Sequence, residues 1–212
     1  MRYIFFGDEN FHDDIAVRLA NAGFERCADI EEASAIITFC TSQSALEDAY
    51  FDEGGFVQSA HPGAVVVNIA CGLDTRCYRM SGYAHWYNLD LPETMAVREK
   101  LLPESGTISQ IAMSAMEDWG SKISEQNVPV LIVIEGLTMY LSEADVKRIF
   151  AVISKRFPKA AVLVEIMNPA VAKRFKEKSI EGSRAKFTWG IKDGKALAAL
   201  LPDFQFVEEH AL

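Results

Sequence analysis

The chain has 212 residues, half of them hydrophobic and 24% charged, the balance of an ordinary globular protein with room for one sizeable core. Its formal net charge of −9 sits entirely in residues 1–63, where 12 acidic residues meet three basic ones, whereas residues 64–212 hold 18 of each. An acidic front repels phosphate and excludes nucleic acid as a natural partner. No apolar run approaches the roughly 20 residues that cross a bilayer. The start, MRYIFFGDENFHDD, turns acidic too early for a signal peptide, so a cytoplasmic protein that stays off membranes is expected. Cys27, Cys40, Cys71 and Cys77 form no CxxC pair and no metal-ligand spacing with histidine; reduced thiols and no metal site follow.

In chain order, residues 1–62 read as a small acidic α/β segment and residues 63–212 as the main domain. AVVVNIA (64–70) is a continuous apolar run, as expected of a parallel strand covered on both faces. AHWYNLD (84–90) is the next strand, followed by Pro92 at a helix start. TISQIAM (107–113) is a third strand, followed by a polar helical stretch to Asn127. VPVLIVIEG (128–136) is the most apolar segment and the expected central strand. Ser142 and Asp145 then stand at capping-box spacing before a helix with apolar Val146, Ile149, Phe150 and Ile153. KAAVLVEIM (159–167) is the fifth strand, AKRFKEKSIEGSRAK (172–186) a solvated helix and loop, and the end a short helix with a last strand. The alternation predicts a doubly wound, mostly parallel, Rossmann-like sheet with right-handed crossovers. Ligands of such sheets bind beyond the carboxyl ends of the strands.

Acids recur at those ends. Asp74 follows the turn after the first strand of this domain, Asp90 ends the second, Glu117 and Asp118 follow the third, and Glu135 ends the fourth. A carboxylate accepts the two hydroxyls of a ribose or meets the amine edge of an adenine. Acids in this arrangement suit a ligand with a ribose, an amine and a cationic centre, and do not suit a pyrophosphate. The combination points to S-adenosylmethionine rather than to a dinucleotide.

The segments NIACGLDTRCYRM, WYNLDLPE, REKLLPE, SAMEDW, VLIVIEGLTMYLSEADV and FTWGIKDGKAL together resemble the leucine carboxyl methyltransferase-like class, which includes protein phosphatase methyltransferases and polyketide O-methyltransferases. The resemblance covers about residues 63–212, in the family's order. It implies a class I S-adenosylmethionine-dependent methyltransferase fold acting on a small-molecule hydroxyl or on a carboxylate. By the family pattern, Gly72 and Asp74 line the methionine end, Asp90 holds the ribose with Leu91 beside it, and Glu117 or Asp118 meets the adenine. The chain is one residue short between SAMED and Trp119, which leaves that choice open. Glu135 lies by the methionine amine, with Arg76 and Tyr140 toward the acceptor. Plainer roles stand beside these: Asp74 as a helix cap paired with Arg76, Tyr140 as core filling, Trp86 and Trp119 as packing, His85 as structural. No catalytic residue is assigned. Transfer to a carboxylate needs alignment more than a base, whereas a phenol needs help with its proton.

In the front third, RYIFFG, DDIAVRLANAGF, EEASAIITFC and ALEDAYFDEGGFVQSAHPGAVVVN resemble a shortened NAD-binding half of the β-hydroxyacid dehydrogenases. The fingerprint is reduced to Gly7, with Glu9 and His12 in place of the later glycines. Side chains there block a pyrophosphate, and Asp8, Glu9, Asp13 and Asp14 repel it. A segment that does not bind NAD, and that pairs two copies of the chain through an uncovered sheet edge, is the expectation. The resemblance also implies an N-terminal arginine for the methionine carboxylate, and no residue of this sequence is assigned to it. A catalytically silent binding or scaffold protein of the same fold is therefore the alternative.

Overall fold

The computed structural model describes residues 63–125, 127–170 and 186–209, and of the earlier chain the strand backbones 2–7, 25–26 and 35–39. Those front strands, β1 (Arg2–Gly7), β2 (Glu25–Arg26) and β3 (Ala35–Phe39), form a parallel ladder in the order β2-β1-β3. The glycine-poor stretch after Gly7 and most of 172–186 lie outside the described residues.

The main sheet is built from β4 (Val65–Ile69), β5 (His85–Asp90), β6 (Ile108–Ala112), β7 (Val130–Ile134) and β8 (Ala161–Val164). All pairs are parallel, in the order β6-β5-β4-β7-β8. The first strand in sequence is thus the central one, and the order reverses on either side of it. That reversal opens a crevice at the carboxyl end of β4, between the ends of β5 and β7. With both its edges paired, β4 has no free ladder for the front strands, which form a separate sheet.

Each of the five strands falls within its expected run. β4 and β7 are buried at every position, because helices cover both faces of a parallel sheet. Alternation along the strands divides the core in two. Val65, Val67, Ile69, Ile132 and Ile134 pack on the side of Ile149 and Ile153. Val66, Trp86, Leu131 and Leu163 pack on the other face. The helices are α1 (Arg76–Arg79), α2 (Pro92–Leu101), α3 (Glu143–Arg156) and α4 (Gly194–Leu200). The capping box at Ser142 is formed in both directions, and α3 buries Val146, Ile149, Phe150 and Ile153.

Two expected elements differ. Instead of a helix to Asn127, the described residues of this stretch form a short 3-10 turn, Trp119–Lys122. Trp119 is fully buried, its indole N–H donates to the Ala115 carbonyl at 3.1 Å, and its ring stacks on Phe157. Arg156 donates to the carbonyls of Gly120 and Ile123, and a Cβ at Gly120 would come within 2.8 Å of the Arg156 side chain. Anchoring this segment under α3 replaces continued helix. The last strand is also absent from the described end of the chain, residues 201–209. Phe204 meets Phe150 edge-on and Phe206 lies against Gly194, so the alternating aromatics serve helix packing rather than a ladder. Nearby, Gly190 passes so close to Met167 that a Cβ would meet its carbonyl oxygen at 2.6 Å. This approach lets Ile191 N–H donate to the same carbonyl at 2.9 Å.

Candidate functional site

The crevice begins where β4 ends. Ala70 and Gly72 both take positive φ, 57° and 49°. The left-handed conformation costs a side-chain-bearing residue about 1–2 kcal/mol, so Ala70 is held there by its surroundings. Cys71 N–H donates to the Leu89 carbonyl at 3.1 Å, and Asp74 N–H closes the turn on the Cys71 carbonyl at 2.9 Å. No atom lies within 4 Å of where a Gly72 Cβ would stand, which leaves that face of the backbone open. Burial pushes the Cys71 thiol well up, so it stays neutral and is no nucleophile.

Asp90 ends the neighbouring strand and faces this turn. Its Oδ2 accepts Gly72 N–H at 2.8 Å and its Oδ1 accepts Leu91 N–H at 2.7 Å. Each carboxylate oxygen can accept about two hydrogen bonds, so each retains one acceptor site, a geometry suited to adjacent hydroxyls. Leu91 is 51% exposed, an apolar surface beside that carboxylate at the start of α2.

Asp74 is used differently. Its Oδ2 accepts from Asn68 Nδ2 and Arg76 Nε, both at 2.6 Å, and its Oδ1 accepts Arg76 N–H at 2.8 Å. The cap and the pair with Arg76 are thus both formed. Arg76 is only 7% exposed. Its Nη1 lies 2.8 Å from Glu135 Oε2 and forms an ion pair with it. Burial works against the Arg76 charge, but Asp74 and Glu135 outweigh it and hold its pKa above the ordinary value. Arg76 therefore bridges the ends of β4 and β7 from below the surface.

The other expected residues surround this centre. Glu117 is exposed, and its carboxylate accepts Ser114 N–H within its own turn at 3.1 Å. Asp118, also exposed, gives its backbone carbonyl to Ser121, and among the described residues no hydrogen bond to its carboxylate is formed. Tyr140 is half-buried and its ring meets Phe187 at 5.4 Å. Thr188 and Trp189 donate their amides to the Met139 carbonyl, which joins the FTWG segment to the turn carrying Tyr140. Trp86 and Trp119 are buried and lie in the core. His85 sits at the opposite end of the sheet, its Nε2 2.8 Å from Ser109 Oγ.

Three residues at the site escaped the sequence reading. Asn68 is a buried polar group in the central strand and orients Asp74. Glu165 follows β8 as the other acids follow their strands, and its Oε2 accepts Gly136 N–H at 2.8 Å; that position was its signal. Arg98, fully buried in α2, donates to the Gly72 carbonyl at 2.9 Å; no pattern marks such a residue. Among the described residues, no group of His, Cys, Asp and Glu is arranged to hold a metal ion. No described helix is long and apolar enough to cross a membrane.

A profile of the leucine carboxyl methyltransferase family matches residues 7–154, beginning within the front segment. The tetracenomycin polyketide synthesis O-methyltransferase TcmP of Streptomyces glaucescens is 34% identical over 159 residues, which are 73% of this chain and 58% of that protein. An S-adenosyl-L-methionine-dependent methyltransferase, dpfgK of Gibberella zeae, is 26% identical over 168 residues, 70% of this chain and 55% of that one. The chain thus spans little more than half the length of these relatives. In fold it is similar to a SAM-dependent methyltransferase from Anabaena variabilis, with a TM-score of 0.52 and 11% identity over 70% of this chain and 66% of that one.

Proposed function

The chain belongs to the leucine carboxyl methyltransferase family, whose cofactor is S-adenosylmethionine, and on that premise we propose that it is an O-methyltransferase. The acceptor is a hydroxyl of a small, polyketide-like molecule or a carboxylate. The carrying observation is Asp90: a strand-end carboxylate that shapes the Gly72 turn through one oxygen and keeps an acceptor site on each.

The residues fit the cofactor. Asp90 receives the ribose hydroxyls, and the open face of Gly72 admits the methionine end. Leu91 supplies an apolar surface for the adenine. Either Glu117 or Asp118 meets the adenine amine: both are exposed, and Glu117 accepts only Ser114 N–H, which leaves it further acceptor sites. Asp74 and Glu135, bridged by Arg76, fix the floor, and Tyr140 with Phe187 borders the acceptor. When bound, the cofactor supplies a sulfonium methyl group for in-line displacement by an acceptor oxygen. The chain contributes alignment and exclusion of water, which is enough for an acceptor that is already anionic. In this reading residues 63–212 form the catalytic domain of a cytoplasmic protein. Residues 1–62 form a small acidic α/β unit that does not bind NAD and that joins two copies.

Titration calorimetry with S-adenosylmethionine and S-adenosylhomocysteine tests the site, followed by methyl-transfer assays on a hydroxylated aromatic polyketide and on a carboxylate peptide. Binding of both ligands and transfer to one acceptor class are expected; no heat with either ligand rejects the reading. Binding without transfer to any acceptor identifies a silent binding protein. The observation favouring that second reading is Arg76: it is buried and balanced by two acids, and so is not available to anchor a carboxylate.

A further inference from the structure

Beneath the Gly72 turn lies a buried ion pair that the proposed reaction does not use directly. Arg98, with no exposed surface, donates through Nε at 2.7 Å to Glu104 Oε1, and its Nη2 lies 2.6 Å from the same oxygen. Its Nη1 donates to the Gly72 carbonyl at 2.9 Å, and its Nη2 also reaches Cys77 Sγ at 3.5 Å. Asn88 Nδ2 donates to Glu104 Oε1 at 2.7 Å, and Asn88 Oδ1 accepts the Trp86 indole N–H at 2.9 Å. Glu104 is thereby fixed to β5 as well as to α2.

We infer that Arg98 and Glu104 are positioning residues that hold the Gly72 peptide in the shape that receives the methionine end of the cofactor. The inference rests on the reading of this crevice as an S-adenosylmethionine site. Gly72 is held at both of its polar groups: its N–H by Asp90 and its C=O by Arg98. A glycine at φ 49° with empty space on its Cβ side has little else to define it, because glycine adopts many conformations at small cost. Stability alone does not account for the pair. Two buried charges lose hydration that their attraction only partly restores, so an apolar pair of similar volume often serves as well. Glu104 Oε2 is buried without a hydrogen bond, which weakens the stability case further. What an apolar pair cannot do is donate to the Gly72 carbonyl.

The test compares the full chain with the double variant Arg98→Met/Glu104→Gln and the single variant Arg98→Lys. Three quantities are read: melting temperature, S-adenosylhomocysteine affinity by calorimetry, and amide hydrogen exchange of residues 70–74 relative to the core of β4. The double variant is expected to melt close to the parent while its affinity falls by about tenfold, the equivalent of one charge-assisted hydrogen bond. Exchange should accelerate at Cys71, Gly72 and Asp74 but not at Val66 or Val67. Arg98→Lys keeps the charge but loses the planar fork; it should keep its fold and show the same local exchange, which preserves the test if the double variant does not fold. Unchanged affinity and unchanged loop exchange in a folded variant overturn the inference. If the parent binds no ligand, the reading of the crevice fails by itself, and the exchange result still decides whether the pair holds the loop.

Discussion

The two ends of the five-stranded sheet both carry ionisable clusters, and they use them in opposite ways. At the carboxyl end, Asp74, Asp90 and Glu165 accept main-chain amides of Arg76, Gly72, Leu91 and Gly136. At the amino end, side chains bond to side chains: His85 to Ser109, Tyr87 and Ser124 to Glu125, with the His85 and Tyr87 rings stacked at 4.3 Å. His85 Nδ1 lies 3.4 Å from Glu125, so the second cluster satisfies itself. The first shapes loops and, at Asp90, leaves an acceptor site unused on each carboxylate oxygen. Chemistry at a sheet edge is thus told less by which residues are present than by what their remaining lone pairs face.

The contrast can be broken most forcefully at Arg98. Arg98→Ala leaves Glu104 buried and unpaired, and should destabilise the chain by about 3–5 kcal/mol in urea unfolding. An effect below about 1 kcal/mol would instead be that of a solvated surface pair. Asp90→Asn comes next. The amide has a single acceptor oxygen for two backbone donors, so ligand affinity should fall by about tenfold or more, and stability by about 1 kcal/mol. Full ligand affinity in this variant would mean that Asp90 only builds the loop.

Gly72→Ala and Gly136→Ala form a matched pair, both at positive φ and both with open space around the new methyl group. Each should cost about 1–2 kcal/mol of stability, but only Gly72→Ala should also weaken S-adenosylhomocysteine binding in calorimetry. The smallest effect belongs to the amino end. Burial pushes the Glu125 pKa up, but hydrogen bonds from Tyr87 and Ser124 and the nearby His85 outweigh it, and the net shift is downward. A lowered carboxylate pKa contributes stability above the ordinary carboxylate range, and that stability disappears as pH falls through the lowered value. Tyr87→Phe should therefore cost about 1 kcal/mol or less near neutrality and flatten the acid limb of the stability profile, with ligand binding untouched.

The strands were legible because their burial is one-dimensional: VLIVI is apolar throughout and VVVNI at every position but Asn68, and only a strand covered on both faces tolerates that. The capping box at Ser142 was legible for the same reason, as a local chemistry with fixed spacing. Asp90 could be placed from its position at a strand end. Arg98 and Glu104 could not, because a basic residue in a helix and an acid after a proline read as solvated surface. Their burial depends on Asn88 and Gly72 arriving from other elements. Asp74 and Arg76 were left with two roles each, since the sequence does not say how many partners Asp74 will meet; Asn68, inside an apolar strand, is the partner that decides it. The helix expected before Asn127 failed because Trp119 and Arg156, far apart in sequence, secure that segment to α3.

The approach of Gly190 to Met167 has a thermodynamic corollary. The hydrogen bond from Ile191 to the Met167 carbonyl clasps two distant points of the chain together. A single methyl group at Gly190 should therefore cost stability out of proportion to its size, because it would stand 2.6 Å from that same carbonyl oxygen and force the clasp open.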